Sequence, residues 1–281
     1  MNNKNDCFDL GLPADLSMLA RAPIARRRLL GMGMAGIGML LAGCGNIGGG
    51  PPAAPGSNSP TKTSADGACV SLPGETAGPY PADGSNASNQ TLNVLQRSGI
   101  VRSDIRASLS TKTVAAGIPT TFELSLINVN ANCAPLAGYA LYAWHCDRDG
   151  QYSLYSSSVT EEDYLRGVQT SDAAGKVTFQ SIFPACYIGR WPHVHFELYA
   201  SIDKATAASN VVHTTQLALP EAVCKTVYST AEGYSKSVAN LSQISLATDN
   251  VFSDGVTSQM AAVTGSIADG FLVKLNVGVA V

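Results

Sequence analysis

Residues 120–129 read TTFELSLINV, a stretch in which apolar and polar side chains alternate from one residue to the next. Side chains of a β-strand point alternately to the two faces of its sheet, so this period predicts a half-buried strand. The same alternation or an unbroken apolar run marks four further candidate strands, at 138–146 (GYALYAWHC), 176–179 (KVTF), 194–199 (VHFELY) and 271–281 (FLVKLNVGVAV). The chain is therefore predicted to be rich in strands.

Helix signals are sparse in the same part of the chain. Pro220 can begin a short helix that ends near Tyr228, because proline suits the first turn of a helix. Turn-forming stretches such as 171–175 (SDAAG) separate the other elements. Many short strands joined by turns are typical of an all-β fold. We therefore predict a single antiparallel β-sandwich domain, with long loops and little helix, over residues 68–281.

Composition excludes several classes of protein. Charged residues make up 14% of the 281 residues, well below the roughly one quarter that is usual, which argues against a disordered or coiled-coil chain. The formal net charge is −3 and the body of the chain has no basic block, so nucleic acid is not expected as a partner. No stretch reaches the roughly 18–20 apolar residues that a membrane-spanning helix needs.

Residues 1–43 resemble an export signal. Three arginines at 26–28 precede an apolar run at 29–42 that carries four glycines. Such a run is long enough for a signal-peptide core and too short for a membrane span. The arginines resemble a twin-arginine signal, but Ala25 stands where serine or threonine is usual, so Sec export stays an alternative.

The segment at 41–44 (LAGC) resembles a bacterial lipobox, in which the cysteine is lipidated and becomes the first residue of the mature chain. Lipidation of Cys44 would hold the protein at a membrane surface without spanning the membrane. An ordinary cleavage site beside an unmodified cysteine is the alternative. Residues 44–67 then form a flexible linker rich in Gly, Pro, Ser and Thr. We therefore expect an exported, lipid-anchored protein of the periplasm or cell envelope.

Five cysteines lie in the predicted domain: Cys69, Cys133, Cys146, Cys186 and Cys224. Export would place them in a compartment where disulfides form. Their odd number leaves at least one unpaired unless it bridges two chains. None has the C-x-x-C spacing typical of structural zinc sites. The sequence leaves the pairing open.

Two of the four histidines stand two residues apart, in the stretch 191–196 (WPHVHF). In a strand, His193 and His195 point to one face while Val194 points to the other. Both imidazoles can therefore reach one metal ion. For a pair of this kind taken alone, two unrelated surface histidines are the commoner outcome.

Motifs on both sides of this pair change its interpretation. They run in order along the chain as 75–80 (ETAGPY), 144–152 (WHCDRDGQY), 165–172 (LRGVQTSD), 183–187 (FPACY) and 215–217 (TQL). Together with Arg190 and the histidine pair, they resemble the intradiol ring-cleavage dioxygenases, non-haem ferric enzymes that include the catechol and protocatechuate dioxygenases. The resemblance covers roughly residues 68–281.

The resemblance implies a cofactor, Fe(III), and four ligands for it: Tyr152, Tyr187, His193 and His195. A free tyrosine has a pKa of about 10, so it binds as phenolate only where a strong Lewis acid displaces its proton. A ferric ion is such an acid. The implied substrates are a small aromatic diol of the catechol type and O2, and the implied product is a cis,cis-muconate-type diacid.

Further roles are implied by position. Arg190 is expected near the substrate ring, where it would stabilise developing negative charge. Tyr187 would leave the iron and accept a substrate proton. Gln216 would lie just outside the ligand set and help to hold the site residues in place. The substrate pocket would be lined by one loop and the arginine: Gly78, Pro79, Tyr80 and Arg190. His145 is expected to be structural rather than a ligand.

Two other interpretations compete with this one. A copper–zinc superoxide dismutase also uses a His-Val-His strand, but its two metals need more histidines than the four in this chain. A similar sandwich that binds aromatic or cell-envelope ligands without turnover is also compatible with the sequence. Within the dioxygenase interpretation, the short spacing between Tyr187 and His193 disfavours a protocatechuate-type substrate.

Overall fold

The computed structural model describes residues 69–281. The predicted export signal at 1–43, the lipidation site Cys44 and the linker at 44–67 lie outside the described residues. Within these residues, the strands are β1 (Pro119–Asn128), β2 (Ala134–Pro135), β3 (Ala140–Trp144), β4 (Arg166–Thr170), β5 (Lys176–Ile182), β6 (His193–Tyr199), β7 (Val211–Ala218), β8 (Ala262–Ser266) and β9 (Gly270–Val279).

Two α-helices, α1 (Glu221–Thr230) and α2 (Ser235–Leu241), follow β7 in this part of the chain. Short 3-10 turns occupy Val129–Ala131, Ile202–Lys204, Ala208–Asn210 and Phe252–Asp254. Between residues 69 and 281, no helix has the length and the apolar character needed to cross a membrane.

β1 organises the first sheet, whose order is β2-β1-β9-β8, with β5 also paired to β1. Phe122 and Leu124 are buried, whereas Glu123 between them forms ion pairs with Lys176 (3.3 Å) and Lys274 (3.1 Å). The predicted strand is therefore confirmed, with one face in the core and the other in solvent.

One pair of strands departs from the predicted antiparallel arrangement. β1 and β9 run parallel, in register from Thr120 opposite Phe271 to Asn128 opposite Val279. The other pairs of named strands in the described residues are antiparallel. A parallel pair needs a long crossover, and here most of the domain forms the connection. The prediction of an all-β sandwich with little helix is confirmed.

The second sheet has the order β4-β3-β6-β7 and is antiparallel throughout. β6 lies inside it and is buried along its whole length. Val194 and Phe196 face the core between the sheets, whereas Tyr199 belongs to a second cluster that contains loop residues. Because side chains alternate along a strand, His193 and His195 share the face of Tyr199. The sheet therefore presents the histidine pair to the loops that cover its outer face.

The other predicted elements lie close to the observed ones. β3, β5, β6 and β9 coincide with runs predicted as strands, to within a few residues at their ends, and α1 begins at Glu221. Pro220 precedes the first helical residue as its N-cap, one position earlier than predicted. The sequence does not predict β4, β7, β8 or α2, since none of them shows a clear apolar alternation.

A disulfide joins Cys69 to Cys133, with their Cα atoms 5.6 Å apart. It ties the first described residue to the turn after β1. Cys146, Cys186 and Cys224 are free and buried, and burial raises the pKa of each thiol. These three cysteines are therefore packed thiols rather than reactive thiolates.

Candidate metal centre

Four polar atoms of the predicted ligands converge on the outer face of β6. The Nε2 atoms of His193 and His195 lie 2.9 Å apart. The phenol oxygens of Tyr152 and Tyr187 each lie 3.4 Å from Nε2 of His193. All four side chains are buried, and Tyr187 is the most exposed of them at 7%. The structure thus brings together the four residues that the resemblance implies as one ligand set.

Tyr152 reaches the site from the loop that follows β3. The Asp147 carboxylate accepts hydrogen bonds from the backbone N–H groups of Asp149 and Gln151, both at 2.9 Å, and closes a tight turn. Gly150 occupies the left-handed region of this turn at φ +83°, a conformation that glycine adopts without strain. The turn reverses the chain and directs Tyr152 back over the sheet.

Tyr187 reaches the site from the loop before β6, and α2 fixes that loop. The backbone N–H of Cys186 donates to the Ser237 hydroxyl at 3.0 Å, and the Asn240 side-chain amide donates to the Cys186 carbonyl at 2.8 Å. Both contacts hold the residue directly before Tyr187. A helix that the sequence does not predict therefore positions one of the predicted ligands.

The two histidines are neutral and differ in their outer contacts. Burial, reinforced by the positive charge of Arg190 and, for His195, by His193 itself, lowers the pKa of both well below the usual value. The Nδ1–H of His193 donates to the Trp191 carbonyl, so its Nε2 carries a free lone pair. Metal ions bind histidine in this neutral form.

The spacing of the four atoms fits one metal ion. Donors bound at about 2.0–2.1 Å lie about 2.9 Å apart at a right angle and about 3.4 Å apart at the tetrahedral angle. The three donor–donor separations given above fall at these two values. Two phenol oxygens and two imidazole nitrogens suit a hard or borderline cation. The residues present therefore fit a ferric ion.

Tyrosines supply the oxygen donors of this centre. In residues 69–281, no three side chains of His, Cys, Asp or Glu come together as a possible metal site. The other two histidines lie apart from the pair. Both ring nitrogens of His145 are engaged, with the Cys146 carbonyl and the Ser181 hydroxyl at 2.7 Å each, which confirms its structural role. His213 lies opposite Leu198 in β7.

A row of side chains crosses the second sheet at the level of the centre. Arg166 on β4 is paired with Trp144 on β3, Trp144 with His195 on β6, and His195 with Gln216 on β7. Gln216 is fully buried. Its amide donates to the Thr76 carbonyl at 2.9 Å, and its side-chain oxygen accepts a hydrogen bond from Arg190 at 2.8 Å.

Arg190 is held on two sides. Its Nε donates to the Asp249 carboxylate at 3.0 Å, and its guanidinium lies 5.9 Å from the centre of the Phe252 ring. Phe252 also lies edge-on to His193, at 6.5 Å between ring centres. Arg190 and Gln216, each predicted separately as a site residue, are thus in direct contact, and the cation is fixed beside the centre.

Asp249 is the central residue that the sequence does not reveal. Its carboxylate also accepts backbone hydrogen bonds from Trp191 at 2.7 Å, Val251 at 2.8 Å and Phe252 at 3.1 Å. Burial raises the pKa of this carboxyl, but attraction to Arg190 and the hydrogen bonds outweigh burial, so its pKa lies below the usual value. The charged carboxylate therefore balances Arg190 in the interior.

The loop predicted to line the pocket packs directly on the centre. Gly78 adopts φ +71°, and a Cβ atom at this position would lie 3.2 Å from Cε1 of His195. The Tyr80 ring lies against the Tyr152 ring, at 4.8 Å between centres. Pro79 between them is buried. The loop thus covers one histidine of the predicted ligand set, His195, and one tyrosine, Tyr152.

Two solved structures share this arrangement of two sheets. An intradiol ring-cleavage dioxygenase from Tetranychus urticae matches with a TM-score of 0.58 and 24% sequence identity, over 75% of this chain and 95% of its own. The chain has the intradiol dioxygenase fold. A second dioxygenase structure matches this fold with a TM-score of 0.58 and 23% identity, over 76% of this chain and 95% of its own. No family model and no curated protein matches the sequence.

Proposed function

We propose that the chain is a ferric-iron-dependent dioxygenase that cleaves a catechol-type ring between its two hydroxylated carbons. Both atoms of O2 would enter the product, a cis,cis-muconate-type diacid. The observation that carries the proposal is the convergence of two tyrosine oxygens and Nε2 of His195 within 2.9–3.4 Å of Nε2 of His193. The intradiol dioxygenase fold supports it.

Tyr152, Tyr187, His193 and His195 would hold the iron. When bound, Fe(III) supplies Lewis acidity that makes a coordinated catecholate reactive towards O2. The two phenolates would offset two of its three positive charges and so favour the ferric state. The burial of all four side chains keeps competing water away from the donors.

Tyr187 is the phenolate ligand that the substrate would displace. It is 7% exposed whereas Tyr152 is fully buried, and its neighbour Ile188 is 52% exposed. Tyr152 also lies beneath the Tyr80 ring. On leaving the metal, Tyr187 would accept a substrate hydroxyl proton at its phenol oxygen, which is general base catalysis by a positioned side chain.

Arg190 would stabilise negative charge that develops on the substrate ring. A cation fixed before the reaction, in a site from which water is excluded, stabilises such charge without reorganising. Asp249 and Gln216 hold the guanidinium from two sides. Gly78, Pro79 and Tyr80 would form the facing wall of the substrate pocket.

Oxygen uptake and colour test the proposal together. The full-length protein, purified in detergent and loaded with iron, should absorb visible light through phenolate-to-iron charge transfer and consume O2 when catechols are added. A colourless iron-loaded protein would contradict the ligand assignment. A coloured protein that consumes no O2 with any catechol would instead support the binding-only alternative.

We also propose that the protein is exported and held at a membrane surface through a lipid on Cys44. The support is the order of arginines, apolar run and LAGC segment within residues 1–44. Membrane fractionation of the wild type and of a Cys44→Ser variant tests this proposal. The wild type should sediment with membranes and the variant should not; equal distribution of the two would count against the lipid anchor.

A further inference from the structure

His195 lacks the outer hydrogen bond that usually orients a metal-binding histidine. Such a residue almost always donates its second ring N–H to a carboxylate, a carbonyl or water. His193 follows this rule through the Trp191 carbonyl. The Nδ1 atom of His195 is buried, and no hydrogen-bond partner for it lies within the described part of the chain. Among the described residues, contacts other than a hydrogen bond at Nδ1 therefore orient this ring.

Trp144 provides such a contact. It stands directly opposite His195 across the antiparallel pair of β3 and β6. The two rings stack at 4.9 Å between centres with an angle of 6° between their planes. The other ring neighbours of His195, namely His193 and Tyr152, meet it edge-on at 78° and 65°. Trp144 alone among these neighbours lies flat on the imidazole.

Trp144 is itself held in place. Its other neighbour along β3, Tyr142, stacks with it at 4.9 Å and 21°. The Tyr142 hydroxyl donates to the Pro81 carbonyl at 2.7 Å and accepts a hydrogen bond from Arg166 at 3.0 Å. Both aromatic side chains are fully buried. The indole therefore acts as a rigid surface.

We propose that Trp144 is a positioning residue for the metal centre, which holds the His195 ring by stacking so that Nε2 points at the metal. This inference rests on the proposed function. Gly78 closes the space at Cε1 of His195, so the loop and the indole together restrict rotation of the imidazole. Stacking replaces the missing hydrogen bond of Nδ1.

Iron affinity of purified variants tests the role of the indole. Full-length wild type, Trp144→Leu and Trp144→Phe are stripped of metal and titrated with ferric citrate. Trp144→Leu removes the stacking surface and should bind iron about 10–100-fold more weakly, the usual effect of losing a group that orients a metal ligand. Trp144→Phe keeps an aromatic face and should retain most of the affinity.

Phe179→Leu is the matched control. It also removes a fully buried ring, but from the core between the sheets. It should lower stability in denaturant while its affinity for iron stays at the wild-type value. If Phe179→Leu lost iron as strongly as Trp144→Leu, general destabilisation would explain both results and the inference would be wrong.

A measurement without metal keeps the inference testable even if Trp144→Leu does not fold. In the NMR spectrum of the metal-free wild type, the ring protons of His195 should be displaced upfield by the ring current of the stacked indole. Unshifted His195 protons, or wild-type iron affinity in folded Trp144→Leu, would overturn this inference alone. A wild-type protein that takes up no iron would overturn the proposed function as well.

Discussion

The Arg190 and Asp249 side chains form an ion pair at 3.0 Å with exposed fractions of only 1% and 0%. Two charges removed from water are stable together only when further hydrogen bonds satisfy them. Here the Gln216 side-chain oxygen accepts a further hydrogen bond from Arg190, and three backbone N–H groups donate hydrogen bonds to the Asp249 carboxylate. The pair links the loop before β6 to the turn at 249–252, and it sets the position of the cation at the candidate centre.

Removal of this carboxylate should destabilise the protein strongly. Asp249→Ala leaves the Arg190 charge buried without its partner, a change that typically costs about 3–5 kcal/mol. Chemical denaturation of the metal-free protein measures the loss. The control is Glu221→Gln, which breaks the exposed ion pair with Lys225 and should cost at most about 1 kcal/mol. Equal losses of unfolding free energy for the two variants would show that the buried ion pair contributes no more to stability than the exposed one.

The contribution of Glu75 to the stability of the protein should fall as the pH rises from 4.5 to about 7, whereas the buried histidines, whose pKa values are lowered, contribute in the opposite direction. Burial, with repulsion from Asp254, raises the pKa of this carboxyl from 4.5 to about 7. The folded state therefore keeps a proton that the unfolded state releases, so the contribution is complete below pH 4.5 and is lost as the pH passes 7. The loss is at most about 3 kcal/mol.

The Glu75→Gln variant should lack this falling contribution, so its stability should gain relative to the wild type as the pH rises from 4.5 to about 7, measured by denaturation at successive pH values. The other groups that face Glu75 are the Gln259 amide and the charges of Arg190 and Asp249. Glu232→Gln, on an exposed turn, is the control and should keep the wild-type slope. A Glu75→Gln profile with the wild-type slope would disprove the assignment.

Gly78 and Gly138 offer a matched test of the loop that covers His195. Both adopt positive φ, at +71° and +79°, but only at Gly78 would a Cβ atom have a neighbour within 4 Å. Alanine at either position should cost about 1–2 kcal/mol of stability through backbone strain. Gly78→Ala should in addition weaken iron binding, because the methyl group presses on the ligand ring. Equal iron affinity in the two variants would argue against that contact.

The two tyrosines should differ when each is replaced by phenylalanine. Tyr152→Phe should lose iron, because the fully buried phenolate is a permanent ligand in the proposal. Tyr187→Phe should keep iron but turn over about 100-fold more slowly or worse, since it lacks the group that accepts the substrate proton. Iron content and single-turnover rates separate the two outcomes. Loss of iron in Tyr187→Phe alone would reverse the assigned roles.

The sequence reveals those parts of the molecule whose signals are local. β1 and β6 alternate cleanly, so their strands and the shared face of His193 and His195 can be predicted. β7 (VVHTTQLA) is buried at one end and open at the other, and β8 is a short edge strand, so neither shows a clean period.

At the candidate centre, too, only the residues that lie in short sequence motifs can be predicted. Its four donors and Gln216 lie in short motifs, whereas Asp249 pairs with a residue 59 positions away and stands in an unremarkable turn. Trp144 lies inside a motif, yet its stacking on His195 depends on the register of β3 against β6. Contacts set by strand register and by long-range charge pairing have no signature within a single stretch of sequence.

The parallel pairing of β1 with β9 has a consequence for the order in which the domain can assemble. β9 lies between β1 and β8, so the first sheet stays open during synthesis until the ribosome has released residues 270–279. Pairings between such distant segments form late and slowly. The core that supports the histidine strand would therefore close only after the chain has been translated through β9. Folding of this domain is then complete only once β9 has been synthesised, and until that point the growing polypeptide has an unpaired, aggregation-prone strand edge at β1.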